Sequence, residues 1–280
     1  MHTDQLTPEL LPPIDDVIYI ARAAGNVILR VYKSGDAGIT HKSDNSPLTL
    51  ADLSAHNLIV NGLGKITPAY PTLSEEAASI PYEKRRYWSR YWLIDPLDGT
   101  KEFIKRNGEF TVNIALIENG KPIMGVVYAP VLDVCYYAAE GAGAFVQRAS
   151  SAPQAIRVKV AIDNETIKVV ASRSHINENT LNLLNKIGNL ECISMGSSLK
   201  LCLVAEGAAH FYPRFGPTME WDTAAAHAIV YAAGGRVSDL AGNELQYNKE
   251  NLLNPDFFVV SAQDKRICNL AIDQSNHYEK

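Results

Sequence analysis

The sequence predicts a mixed fold, α+β in its first half and α/β in its second. Three observations predict it. Two segments near the amino end carry apolar residues at helical spacing, residues 80–148 hold a succession of strand patterns joined by hairpin turns, and strand and helix patterns alternate beyond residue 165. Residues 149–165, SSAPQAIRVKVAIDNET, lack a strong period, and this composition shift divides the chain into 1–155 and 156–280.

The first helix follows the Pro12-Pro13 breaker. Asp15 or Asp16 can cap it, and Ile14, Val17, Ile18, Ala21, Ala24, Ile28 and Val31 form its apolar stripe. The stretch from Lys33 to Pro47 is rich in Gly, Asp, Ser and Lys and reads as an exposed loop or flap. A second helix begins near Thr49, with Ala55, Leu58, Ile59, Leu63 and Ile66 on one face and Asp52 in the first turn. A carboxylate there is stabilised by the helix macrodipole, so taken alone Asp52 needs no further role. The short apolar run from Tyr70 to Leu73 ends at Ser74-Glu75-Glu76, where adjacent glutamates repel unless solvent or a cation separates them. A charged segment, Glu83 to Arg90, leads onward.

Residues 91–103, YWLIDPLDGTKEF, are the stretch on which the rest is organised. Tyr91 to Ile94 suit a buried strand, which is expected to stop at Asp95-Pro96 because proline cannot donate to a sheet ladder. Gly99 permits a tight path, so Asp95, Asp98 and Thr100 converge in one bend. Hard cations such as Mg²⁺ take oxygen ligands in octahedral geometry, and Asp95, Asp98, the Thr100 hydroxyl and a carbonyl such as that of Leu97 could supply them. A polar turn after a core strand is the other reading of the same six residues. Lys101 to Gly108 form a polar connection. FTVNIALIE and PIMGVVYAP then bracket Asn119-Gly120, a strong hairpin signal, and VCYYAA and GAFVQR follow around Glu140-Gly141.

In the second half the order is IKVVAS, a helix from about Asn177 to Ile187, ECISM, a helix from Ser198 to Glu206 stopped by Gly207, then HFYPR. A helix from Trp221 to Ala233 ends at Gly234-Gly235, and strands RVSDL and FFVVS precede a closing helix from Asp264.

Composition narrows the function classes. The 46% hydrophobic and 20% charged content suits a soluble globular protein, and a net charge of −5 disfavours polymeric nucleic acid as a partner. A local basic pocket for a small anion is still compatible with it. The amino-terminal MHTDQLTPELLPPIDD lacks the marks of a signal peptide, and no apolar run approaches the roughly 20 residues of a membrane span. Cys135, Cys192, Cys202 and Cys268 form no CxxC pair and read as reduced thiols of a cytosolic protein. Peripheral association with the inner membrane, and the choice between monomer and homodimer, stay open.

Asp52, Glu75-Glu76, DPLDGT at 95–100, and Trp221-Asp222 followed by eleven residues and Gly234-Gly235 resemble, in this order, the signature of the inositol monophosphatase-like, lithium-sensitive, magnesium-dependent phosphatases. The resemblance covers nearly the whole chain and implies a layered αβαβα sandwich. It further implies that Glu75, Asp95, the carbonyl of Leu97, Asp98 and Asp222 hold two or three Mg²⁺, and that Thr100, with Asp52 or Glu75 behind it, orients and deprotonates the attacking water. Glu76 belongs to the signature behind these ligands.

Other stretches choose among substrates. KEFIKRNGEFTVNIALIENGKPIMGVVYAP, ASRSH, GSSLKLCLVAEG and YPRFGPTMEWD resemble the bacterial 3′(2′),5′-bisphosphate nucleotidase branch of the family more closely than its inositol monophosphatases. This implies removal of the 3′-phosphate of adenosine 3′,5′-bisphosphate, with its 5′-phosphosulfate relative as a further substrate, in sulfur assimilation. Residues 97–100 and Asp222 would border that substrate. Gly196, Ser197 and Ser198 precede a helix and can offer amides and hydroxyls to a second phosphate, with Lys200 nearby. Arg214 can grip the same phosphate through its planar fork. Inositol monophosphatases carry a glutamate at the place Arg214 takes before Gly216. His175 would lie beside the base or ribose. Each has a plainer reading: Ser197 and Ser198 as helix caps, Lys200 as a solvated helix residue, His175 as a loop residue, Tyr212 and Trp221 as core. Two alternatives remain, a broad-specificity inositol monophosphatase and a non-catalytic phosphometabolite-binding protein; the intact acidic set speaks against the second.

Overall fold

The computed structural model describes residues 10–34, 38, 40–41, 47–171 and 178–272. Helix α1 spans Ile14–Ser34; strands β1 (Thr40–His41) and β2 (Pro47–Leu48) pair antiparallel, and Thr49 caps α2, Leu50–Ile66. The loop expected over 33–47 lies largely outside the described residues. β3 (Thr72–Ser74) leads into a 3₁₀ turn at Glu75–Ala77, α3 (Tyr82–Arg85) and β4 (Arg90–Asp98). Next come α4 (Thr100–Ile104), β5 (Thr111–Glu118), β6 (Lys121–Ala129), β7 (Val134–Ala139), β8 (Gly143–Arg148) and β9 (Gln154–Ala155). The later part holds β10 (Ile167–Ala171), α5 (Glu178–Ile187), β11 (Leu190–Ser194), α6 (Leu199–Ala205) and β12 (Phe211–Arg214). It closes with α7 (Glu220–Ala232), β13 (Gly235–Asp239), β14 (Phe257–Ser261) and α8 (Lys265–Ile272).

Strands β3 to β9 lie side by side in sequence order, antiparallel except for the parallel pair β3 and β4. The second sheet runs β11-β10-β12-β14-β13 and is mixed, with β10 parallel to both neighbours and β14 antiparallel to both of its own. Asn119 and Gly120 both have positive φ, 48° and 78°, so the predicted hairpin closes on a turn whose twist matches its strands.

Strand alternation then sets the layers. On β4, Trp92 and Ile94 join a core with Ile20 and Ile59 of α1 and α2, whereas Tyr91 and Leu93 join one with Leu201 of α6 and Ile229 of α7. On the second sheet Val170, Tyr212 and Val259 face that same middle layer, while Val169, Phe211 and Phe258 face Leu183 of α5 and Ile267 of α8. The outcome is the layered αβαβα sandwich, with α6 and α7 between the two sheets.

Helix α7 presses closely on the first sheet at Gly125 of β6. A Cβ there would come 2.1 Å from the carbonyl oxygen of Ala225. Gly125→Ala is therefore expected to destabilise the fold by about 3 kcal/mol, seen as a fall of several degrees in melting temperature. An unchanged Tm would show that α7 can shift at no cost.

The structure departs from the expected elements at three places. Lys101–Gly108 begins inside α4, and the charged segment before β4 contains α3, so these were not merely polar connections. More telling, β4 does not end at Asp95 but runs on to Asp98. Asp95 pairs with Asn113 and Asp98 with Thr111, so three residue steps on β4 oppose two on β5 and one residue bulges out. Pro96 is tolerated because β3 stops at Ser74, opposite Ile94, and leaves β4 an edge from there onward.

Candidate active site

The alternation that sends Tyr91 and Leu93 toward the middle layer sends Asp95 there too, and its side chain is buried. Helix α7 meets it from that layer, carrying Asp222 at its third position, where the carboxylate takes the Met219 N–H at 2.8 Å. Asp52 holds the same third position in α2 and completes a capping box, with Oδ2 accepting from Thr49 N–H at 2.8 Å and from the Thr49 hydroxyl at 2.5 Å. Helix capping is thus real for both. Each has a second oxygen, and Asp52 Oδ1 lies 3.5 Å from the Thr100 hydroxyl, which is also 3.5 Å from the Leu97 carbonyl. Gly99, at φ 92°, supplies the left-handed step that turns β4 into α4 and brings Thr100 over Asp52.

Charge ties these residues together. Burial raises the Asp95 carboxyl well above its ordinary range, and Glu75, Asp98 and Asp222 push it in the same direction. Asp222 is raised by burial and then by Asp98 and Glu75. Burial also raises Asp98, although the Lys200 ammonium and the Ser198 N–H pull it back. Buried carboxylates that raise one another call for a cation, and all are hard oxygen donors of the kind Mg²⁺ takes. Among the described residues, however, no three of His, Cys, Asp and Glu stand together as a ready-made coordination shell. Asp95, Asp98 and Asp222 are each turned to a backbone N–H, of Leu97 at 3.0 Å, Ser198 at 2.5 Å and Met219 at 2.8 Å. The donor set fits a hard cation, since each of these carboxylates gives only one oxygen to its amide and keeps the other.

Burial pushes the Asp52 carboxyl up to about 6, against the bonds from Thr49 that lower it; Glu76 and Glu75 add to the rise. A raised carboxyl pKa means that folding takes up a proton between the ordinary carboxylate range and pH 6, so stability falls as the pH rises through that window and the full cost of ionised Asp52 is present above it. The shift from 3.8 to about 6 corresponds to about 3 kcal/mol. Asp52→Asn is expected to raise the Tm at pH 7.5 in chelator, with the gain gone near pH 4. A pH-independent difference would count against an ionised, buried Asp52.

Asp98 and Asp222 border a small cavity of about 150 Å³ that is also lined by Lys200, Arg214 and Ser197. Lys200 is not a solvated helix residue. It is 9% exposed because α6 runs between the two sheets, its Nζ donates to the Ser197 carbonyl at 2.6 Å, and burial lowers its pKa while Asp98 opposes the fall. Arg214 donates from Nη2 to the Pro217 carbonyl at 3.0 Å, and its buried Nε has no partner. Ser197 adopts φ 47°, which bends the chain into α6. Gly196 passes so near Glu109 that a Cβ would lie 2.7 Å from its carbonyl oxygen. Tyr212 borders the cavity, with Lys200 Nζ 5.8 Å from its ring centre, whereas Trp221 packs in the core.

Ser198 borders the same cavity, its hydroxyl bonded to Asn113 and Thr111, and His175 lies outside the described residues. Thr111, Asn113, Glu102 and Thr218 border or brace the site without having been singled out. Only Asn113 left a readable sign, as an amide interrupting the apolar run VNIALI.

The sequence profile of the Inositol monophosphatase family matches residues 13–274. The chain belongs to the inositol monophosphatase family. Within it, the chain is 52% identical over 249 residues to the 3′(2′),5′-bisphosphate nucleotidase CysQ of Salmonella typhimurium, covering 88% of this chain and 98% of that one. It is 47% identical over 250 residues to the CysQ nucleotidase of Buchnera aphidicola, covering 88% and 92%. The crystal structure of CysQ from Bacteroides thetaiotaomicron superposes with a TM-score of 0.79 at 46% identity, over 89% of this chain and 97% of that one. A Thermotoga maritima IMPase gives 0.76 at 25% identity, over 94% and 98%. The family's layered fold is thus the one read above from strand alternation. No helix among the described residues is long and apolar enough to cross a membrane.

Proposed function

We propose that this chain is a metal-dependent phosphomonoesterase that removes the 3′-phosphate of adenosine 3′,5′-bisphosphate, giving AMP and phosphate, and that it acts on the 5′-phosphosulfate relative as well. The observation that carries this reading is the cavity that joins Asp98 and Asp222 to two basic side chains, Lys200 and Arg214. A monophosphate has one anionic group to place, at the acids through cations. A bisphosphate has a second, which needs basic residues at a short distance. The identity to CysQ nucleotidases supports the same choice over inositol monophosphatase.

Glu75, Asp95, the Leu97 carbonyl, Asp98 and Asp222 are the groups that would hold Mg²⁺, two or three ions in all. Bound there, the ions would offset the charge of the reacting phosphate and acidify water beside it. The chain's own residues supply the rest. Thr100 orients the attacking water, and Asp52, 3.5 Å behind its hydroxyl, takes the proton; with a pKa of about 6 it is ionised at neutral pH yet basic enough to accept. Glu75 is the other group placed to share that task. The water oxygen bonds to phosphorus as the bond to O3′ breaks, and O3′ takes a proton to become the ribose hydroxyl. Lys200, Arg214 and the backbone of Gly196 and Ser197 hold the 5′-phosphate, which does not react. The expected setting is the cytoplasm, as monomer or homodimer.

Phosphate release from adenosine 3′,5′-bisphosphate and from inositol 1-phosphate, each with and without Mg²⁺, tests this. Expected is Mg²⁺-dependent release with kcat/KM far higher for the bisphosphate. Equal or reversed preference would make the chain a broad inositol monophosphatase instead.

A further inference from the structure

Beneath the acidic turn runs a buried chain of hydrogen bonds that the sequence did not announce. On β5, Ala115 and Ile117 face the middle layer, so Asn113 and Thr111 face it too. The register sets Asn113 against Asp95 and Thr111 against Asp98. Thr111 Oγ1 lies 2.9 Å from Ser198 Oγ, Ser198 Oγ donates to Asn113 Oδ1 at 2.8 Å, and all three residues are buried.

Counting protons fixes the direction of the chain. The one hydroxyl proton of Ser198 is spent on Asn113 Oδ1, so Thr111 donates to Ser198, and Asn113 is held with its carbonyl toward Ser198 and its NH₂ toward the acids. That Nδ2 is buried and has no hydrogen-bond partner. An unmet buried donor ordinarily costs about 1 to 3 kcal/mol. Here it sits beside Asp98, whose ionised form its N–H favours, and the backbone N–H of Ser198 holds Asp98 Oδ2 from the other side at 2.5 Å. One small relay thus touches both the acidic turn and the loop 196–198.

We propose that Asn113 is a positioning residue for the cation site: locked by Thr111 and Ser198, its amide holds Asp98 in the orientation from which the carboxylate engages a divalent ion. The inference rests on the phosphatase reading above and adds a residue to it. Asn113 Nδ2 already lies close enough to Asp98 to favour its ionised form without completing a geometric hydrogen bond, and the Ser198 amide takes only Oδ2, so the other oxygen can close on Nδ2 when an ion draws the carboxylate in.

The test compares the full-length wild type with Asn113→Leu, Thr111→Val and Ser198→Ala, by calorimetric titration with Mg²⁺, phosphate release and thermal melting. Asn113→Leu is expected to weaken Mg²⁺ binding about tenfold or more and to raise the Mg²⁺ needed for half-maximal rate by the same factor. KM for the bisphosphate at saturating Mg²⁺ should move by less than about threefold, as the substrate's second phosphate is held elsewhere. Thr111→Val and Ser198→Ala should shift Mg²⁺ affinity the same way by less, since they only unlock the amide. A lowered Tm with unchanged Mg²⁺ affinity would make Asn113 a packing residue and overturn the proposal. Should Asn113→Leu fail to fold, unchanged affinity in both other variants overturns it equally. A wild type that binds Mg²⁺ but releases no phosphate sinks the phosphatase reading alone, and the affinity comparison still decides the role of Asn113.

Discussion

Asp95→Asn is expected to lower turnover by about a thousandfold and, in chelator, to raise the melting temperature. The first effect follows from removing a charged oxygen at the centre of the proposed cation site, where several kcal/mol of transition-state stabilisation depend on it. The second follows from burial. Asp95 is 1% exposed, and its carboxyl is raised by desolvation and then by Glu75, Asp98 and Asp222, so its ionised form weakens the metal-free fold. Asparagine keeps the oxygen that accepts the Leu97 N–H at 3.0 Å and discards the charge. The sign is fixed by linkage: a carboxyl with a raised pKa is protonated on folding, so the wild type loses stability as pH rises above the ordinary carboxylate range and the variant does not. The Tm difference should therefore be present at pH 7.5, shrink toward pH 4, and narrow or reverse at saturating Mg²⁺, which stabilises only the chain that binds it. Near wild-type turnover at saturating Mg²⁺ would remove Asp95 from the site.

The same residue shows what the sequence could and could not convey. Tyr91 to Ile94 announced a buried strand, and their alternation was enough to send Asp95 inward to the layer between the sheets. The continuation of β4 through Pro96 was not legible, because it depends on where β3 stops and where β5 runs, and both are set by long-range register. Asp52 and Asp222 are legible at helix starts, since N-terminal carboxylates have a local cause. Lys200 was open to misreading for the opposite reason. Its neighbours in α6, Leu199, Leu201, Cys202, Leu203 and Val204, are apolar on every face and suit a buried helix, yet it is the second sheet, closing over α6, that takes the one ammonium among them out of water. Ser198 reads from sequence as a phosphate contact because it precedes a helix. Ser198 does border the cavity, and its hydroxyl also bonds to Thr111 and Asn113, some 85 residues away along the chain, which no local pattern could have shown.

Arg214→Glu is the change expected to move specificity most. Its guanidinium borders the cavity with Nε buried and unpartnered, held by one bond from Nη2 to the Pro217 carbonyl, so donors remain to meet a phosphate. A hydrogen bond to a charged group contributes about 1.5 to 3 kcal/mol, and reversing the charge adds repulsion, so KM for the bisphosphate should rise roughly a hundredfold. The phosphate it would hold is not the one that reacts, and a contact equal in ground and transition states moves KM while leaving kcat within about threefold. Inositol 1-phosphate lacks that second phosphate, so its KM should hardly change and the ratio of the two kcat/KM values should collapse. Because Arg214 also lowers the pKa of Asp222, the rates belong at saturating Mg²⁺, and Arg214→Gln run in parallel separates loss of the donor from added repulsion. A fall in kcat at constant KM would assign Arg214 to the acidic cluster. An unchanged KM would leave Lys200 as the cation facing the second phosphate, since its ammonium is buried in the same wall.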